Sequence, residues 1–140
     1  MHRETVLTPG LKWDVEAYDL SSDGRLLAYA VNEDGYSRVT LTDRVTRRAL
    51  PQAKLPEGVL TALQFSPDGG QLALGFTNAT SAGDVWSWKV ADASLTRWTT
   101  SELGELDSAS LATPTLIHFK SFDGREIPAF VYRPRGVPEG

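Results

Sequence analysis

The sequence predicts an all-β fold: a partial β-propeller of about two antiparallel blades, followed by a separate β-hairpin. Three observations carry this reading. The stretch DLSSDGRLLAYAVN at 19–32 returns imperfectly as QFSPDGGQLALGFTN at 64–78. The offset is 45 residues at Asp23/Asp68 and 46 at Leu26/Leu72, with Gly70 accounting for the extra position, and that is the length of one propeller blade. Inside each unit the apolar residues alternate about an Asp-Gly turn and occupy both faces of the strand, which fits a sheet sandwiched between two others.

The first blade opens near Trp13–Tyr18. Asp23-Gly24 turns the chain, because Gly accepts positive φ and Asp bonds its own backbone. Leu26, Ala28 and Ala30 then oppose Leu27, Tyr29 and Val31 across the returning strand. A third strand is expected at Arg38–Thr42 and a short fourth at Arg47–Leu50. In the second unit Leu63 and Phe65 lead into Asp68-Gly69, with Pro67 presetting φ, and Leu72, Leu74 and Phe76 lead out. Asp84–Val90 and Leu95–Thr99 supply its outer strands. Trp86, Trp88 and Val90 share one face, and period-two spacing assigns them to packing between blades rather than to a ligand platform. Trp13-Asp14 opens a strand instead of closing a blade, and no G-H…W-D pairing occurs, so a WD40 repeat is not indicated.

The texture changes after Thr100. Residues 101–111 read SELGELDSASL, and Leu103, Leu106 and Leu111 have the spacing of a short helix or a wrapping linker. Pro114 ends any helix. Leu116–Ser121 then alternates, Asp123-Gly124 turns, Ile127–Tyr132 returns and Pro134 stops the strand. The expected organisation is a propeller portion at 1–100, a linker at 101–114 and a further unit beginning at 115–140.

Composition bounds the function. A chain of 140 residues holds one ordinary core but not six to eight blades of about 40–50 residues each. An apolar content of 41% argues against disorder. The net charge is -4, and the densest basic group, Arg44, Arg47 and Arg48, contains no phosphate-binding pattern and reads as a solvated connection, so no nucleic-acid partner is expected. Absence of cysteine excludes disulfides and thiolate chemistry and fits a cytoplasmic setting. MHRETVLTPG lacks an apolar signal core, and no run approaches the roughly 20 apolar residues of a membrane span. Asp19, Asp23, Asp34, Asp43, Asp68, Asp84 and Asp92 fall outside any D-x-[DN]-x-[DN]-G loop and read as turn residues, so neither a metal nor another cofactor is expected. Asn78-Ala79-Thr80 forms a glycosylation sequon that matters only in a secreted eukaryotic protein.

PTLIHFKSFDGREIPAFVYRPRG at 114–136 resembles the segment that opens the catalytic domain in the prolyl oligopeptidase family of serine peptidases. The matching elements are Ser121, Asp123-Gly124, Ile127-Pro128, Tyr132 and Pro134. Phe65-Ser-Pro-Asp-Gly69 is similar to blade hairpins of the same family, especially its acylaminoacyl-peptidase and dipeptidyl-peptidase-like members. The resemblance implies a propeller followed by the first hairpin of an α/β-hydrolase domain. It implies peptide-bond hydrolysis through an acyl-enzyme in a full-length parent that binds peptide substrates.

The family's Ser-Asp-His triad has its serine at a G-x-S-x-G elbow, and no such pentapeptide occurs in these residues. Ser108 and Ser110 lack flanking glycines. His2 adjoins the terminus, and His118 falls on the opening strand, far upstream of the family's catalytic histidine. Glu33, Glu102 and Glu105 are carboxylates without a substrate-binding motif and read as surface loop residues. No catalytic, cofactor or metal residue is assigned, and the 140-residue chain alone is expected to be inactive. The alternative is a TolB- or WD-like propeller scaffold without a hydrolase. Incomplete blades are also expected to expose faces such as Leu27/Tyr29/Val31 or Trp86/Trp88, favouring self-association.

Overall fold

The computed structural model describes residues 6–8, 10–134 and 136. Two four-stranded antiparallel meanders and one hairpin account for its strands. The first sheet runs β1 (Val15–Leu20), β2 (Leu26–Glu33), β3 (Tyr36–Asp43) and β4 (Arg48–Ala49) in that order. The second repeats it with β5 (Val59–Phe65), β6 (Gln71–Asn78), β7 (Ser81–Lys89) and β8 (Leu95–Arg97). Among the described residues, β9 (Thr115–Lys120) and β10 (Glu126–Val131) pair only with each other. The array is open rather than closed, as a partial propeller requires. Among the described residues no helix is long and apolar enough to cross a membrane.

One turn chemistry is used three times. Ser21, Ser66 and Ser121 each begin a Ser-x-Asp-Gly turn whose Gly N–H donates to the Ser carbonyl, at 2.7, 2.9 and 3.0 Å. The Asp carboxylate accepts the N–H two residues on: Arg25 at 2.9 Å, Gly70 at 3.0 Å and Arg125 at 3.2 Å. Gly24, Gly69 and Gly124 have φ of 67°, 69° and 82°, the left-handed region that a Cβ resists. The space around Gly124 is open, so backbone strain alone acts there. Gly124→Val is therefore expected to destabilise the hairpin by about 1 kcal/mol or more. Amide exchange across β9 and β10 would read the effect, and unchanged protection would contradict it.

The repeat is more regular at its hairpins than the sequence suggests. Gln71 opens β6 as Leu26 opens β2, 45 positions earlier. Leu27 pairs with Leu20 as Leu72 pairs with Phe65. Gly70 is therefore not an insertion. The extra residue enters later, where the β6–β7 register shifts between Phe76 and Asn78 and Gly83 takes φ 145°. A bulge absorbs one residue on one strand without disturbing the paired turns.

The core lies between the two sheets. Ala28 and Leu41 of the first meet Phe65, Leu72, Leu74 and Trp88 of the second, with Leu26, Val39, Leu63 and Trp86 packed around them. Trp88, Leu41 and Leu72 are fully buried. Packing between blades is thus the role of Trp88, although its indole Nε1 has no hydrogen-bond partner among the described residues. Cross-sheet bonds fix the stack: the Phe65 amide donates to Asp19 at 2.7 Å, and the Ser22 hydroxyl to the Pro67 carbonyl at 2.9 Å.

The expected exposure of Leu27/Tyr29/Val31 and Trp86/Trp88 is corrected. Leu27, Val31 and Trp88 are buried, and Tyr29 and Trp86 partly so. Val6 and Leu7 border the cavity beside Leu27. Exposed apolar side chains lie elsewhere, at Tyr18, Trp98, Ile117, Phe119 and Phe122. Residues 101–114 contain a single 3-10 turn, Ser108–Ser110, in place of a longer helix. Asp107 caps it by accepting the Ala109 amide at 2.9 Å. Leu106 is exposed, so the leucine spacing there builds no apolar face.

Candidate functional site

Connections from one end of the blade stack meet the final hairpin and form a cleft. The Asp34-Gly35 turn joins β2 to β3, Glu57-Gly58 leads into β5, and Ala79-Thr80 joins β6 to β7. Thr113-Pro114 and the strand end at Phe130–Tyr132 close the other side, leaving a cavity of about 340 Å3.

Local bonding holds the walls. The Gly35 amide donates to the Asn32 side chain at 2.9 Å, and the Ser37 amide to the Gly58 carbonyl at 2.9 Å. Asn78 donates to the Glu57 carbonyl at 3.1 Å and accepts the Thr80 amide at 3.0 Å. The sequon asparagine is therefore engaged on both sides of its amide. Gly58 is required by close approach, since a Cβ there would lie 2.4 Å from the Thr77 carbonyl oxygen.

Phe130 seats the hairpin. Its ring lies 4.9 Å from that of Tyr36, tilted at 59°, a favourable edge-to-face range. Gly35 leaves the space for it, because a Cβ there would fall 2.5 Å from Phe130 Cε2. His118 Nε2 lies 3.2 Å from an Asp34 carboxylate oxygen, adding a second contact between hairpin and blade. Gly35→Ala should expel Phe130 and loosen the hairpin while leaving both blades folded. Limited proteolysis within 115–131 is expected to accelerate several-fold, and wild-type resistance there would contradict the interlock.

The sequence-singled residues do not converge on this cleft as a catalytic set. His118 meets Asp34 at a docking contact. Ser110 donates its hydroxyl to the Asp107 carbonyl at 2.6 Å. Ser108 borders a separate cavity with Asp84, Trp86, Arg97 and Ser101. Glu33 lies 3.8 Å from Arg38, and Glu102 and Glu105 are exposed on the connection. His2 lies outside the described residues. Arg44 donates to the Gly24 carbonyl at 2.6 Å, while Arg47 and Arg48 are exposed.

The aspartates serve turns and clasps. Asp23, Asp43 and Asp68 are held below the ordinary carboxylate range, chiefly by the Ser21 hydroxyl, the Thr46 amide and the Ser66 hydroxyl respectively. Among the described residues no three His, Asp or Glu side chains gather to hold a metal. The strongest clasp is Asp84, which is buried. It accepts from the Ser81 hydroxyl, from Arg97 at 2.5 Å and from the Ser101 amide at 2.7 Å. These bonds tie β7, β8 and the start of the connection to one carboxylate. Chemically, the cleft offers aromatic and polar walls with one carboxylate, and so binding and positioning.

The sheet order, the inter-sheet core and the seated hairpin define a partial propeller with an appended β-hairpin. Its fold is shared with prolyl endopeptidases. No family model matches the chain, and no curated protein matches it. One structure, from work on two prolyl endopeptidases and the role of inter-domain dynamics in their catalysis and specificity, gives a TM-score of 0.76 at 16% identity, covering 94% of this chain and 19% of that one. Prolyl oligopeptidase B from Galerina marginata, bound to a 25mer macrocyclization substrate, gives 0.73 at 15% identity, with 90% and 18% covered. The same enzyme bound to a 35mer hydrolysis and macrocyclization substrate gives 0.72 at 14% identity, with 89% and 18% covered. The chain thus spans about a fifth of the length of these enzymes, and the resemblance read from its hairpins extends to the backbone.

Proposed function

We propose that this chain is the blade-and-joint section of a serine peptidase of the prolyl oligopeptidase family. The observation that carries the reading is order: two propeller blades, a connection, and a Ser-x-Asp-Gly hairpin, matched over 94% of the chain to a prolyl endopeptidase. In this reading residues 1–100 belong to the propeller, 101–114 connect, and 115–140 open the hydrolase domain. A scaffold without a hydrolase gives no reason for a hairpin that pairs with neither blade.

The chain's own work is positional. Phe130 in the Gly35 notch and His118 beside Asp34 orient the hydrolase's first strands on the propeller. Asp84 fixes where the connection leaves the second blade. Bond cleavage belongs to a serine outside residues 1–140: its oxygen attacks the peptide carbonyl, the amine leaves with a proton, and water then releases the acyl group. The substrate is a peptide, as the matched enzymes' names indicate for them.

The reading is tested by the open reading frame that encodes this chain. Beyond position 140 it is expected to encode G-x-S-x-G, then an aspartate, then a histidine. Further blade repeats in their place would overturn the proposal in favour of a scaffold.

A further inference from the structure

We propose that the cleft between the blade turns and the hairpin is a binding site for a basic side chain, an alkyl guanidinium or ammonium group. The proposal does not depend on the peptidase reading. Three aromatic rings, Tyr36, Phe130 and Tyr132, line the cavity of about 340 Å3 together with the Glu57 residue. Val59 and Pro114 add apolar wall suited to an alkyl stem.

The corner places a carboxylate beside the aromatic rings. Tyr36 is only 9% exposed, and burial raises the pKa of its hydroxyl, with the charge of Glu57 and the neighbouring Tyr132 adding to the rise and the Arg38 guanidinium opposing it. A carboxylate close enough to act on that hydroxyl would stabilise a cation beside it, and ring faces attract the same charge. Tyr36 already shows this preference: Arg38 places its guanidinium 5.7 Å from the ring centroid, while lying outside the cavity lining. An anion would meet the Glu57 charge with no described cation in the lining to offset it. The cavity exceeds the size of a single ordered water and accommodates a side chain rather than a whole folded partner.

The test titrates the full chain, observed by NMR at low salt, with agmatine, with acetyl-Gly-Arg-Gly-amide and with its citrulline counterpart. Saturable shifts at Tyr36, Tyr132 and Glu57 are expected for both cationic probes. The citrulline peptide should bind at least about fivefold more weakly, and Glu57→Gln should lose about fivefold in affinity for the cations alone. Tighter binding of the arginine peptide than of agmatine would assign the site to peptides, and the reverse to free amines. Because Glu57 is exposed, the variant should keep the wild-type circular dichroism. Equal affinity for arginine and citrulline peptides, or cation binding unchanged by Glu57→Gln, would overturn the proposal. None of these outcomes bears on whether a nucleophilic serine lies elsewhere.

Discussion

Trp88→Ala should cost about 3–5 kcal/mol of folding stability. Trp88 is the largest fully buried side chain and sits where β7 faces the first sheet, in one cluster with Leu41, Leu72 and Leu74. Its removal takes contacts from both sheets at once, and a rigid interior does not collapse to refill the space. A domain's whole stability is about 5–15 kcal/mol, so the loss is severe. The other tryptophans supply the controls. Trp86 is partly buried beside the same cluster and should cost less. Trp98 is 66% exposed, and its indole donates only to the Ser87 hydroxyl, at 2.9 Å. Its alanine variant should lie within about 1 kcal/mol of wild type. Urea midpoints would rank the three, and similar losses at Trp88 and Trp98 would contradict the inter-sheet core.

Asp84→Ala is expected to lower the melting temperature by roughly 10 °C near neutral pH, and its effect should fade in acid. The Ser81 hydroxyl, Arg97 and the Ser101 amide and hydroxyl hold the Asp84 carboxyl well below its ordinary value of 3.8. A depressed folded-state pKa contributes stability that is fully present above the unfolded value. It is lost as the pH falls through the range between the two. The gap between wild type and Asp84→Ala should therefore be full at pH 7 and shrink progressively below about pH 4. Asp92 carries the same sign, its pKa lowered to about 2 by the Ser94 hydroxyl and amide and then by Lys89. Thermal melts across this range would check the trend. A gap that stays constant from pH 7 into strong acid would show that the carboxylate charge has no part in the clasp.

The repeated hairpins were legible because their turns are local. Ser-x-Asp-Gly bonds itself within a few residues, so its recurrence in sequence is its recurrence in space. The alternation around it then locates most strands. The one-residue offset was misplaced at Gly70 for a physical reason as well. When both faces of a strand are apolar, matching Leu26 to Leu72 looks as good as matching Leu27 to Leu72, and side-chain pattern alone does not set the register. The covered face at Leu27 is not legible in the strand pattern, because Val6 and Leu7, which border the cavity beside it, carry no periodic signal.

The cleft was not legible. Its walls come from Gly35, Glu57, Asn78, Pro114 and Tyr132, spread along the chain and brought together only when the hairpin docks. The pairing of His118 with Asp34 spans 84 positions, and neither residue sits in a motif. A signal existed in the glycines: Gly35 and Gly58 flank strands where a side chain would collide with Phe130 or with the Thr77 carbonyl. A strand-edge glycine marks close approach, but it does not name what approaches.

The most direct test of the central claim is active-site labelling of the natural protein that contains this chain, purified from its source. A fluorophosphonate probe is expected to label one serine stoichiometrically, at a position outside residues 1–140, with parallel loss of peptide hydrolysis. Failure to label any serine in the folded protein, or labelling at Ser108 or Ser110, would contradict the account.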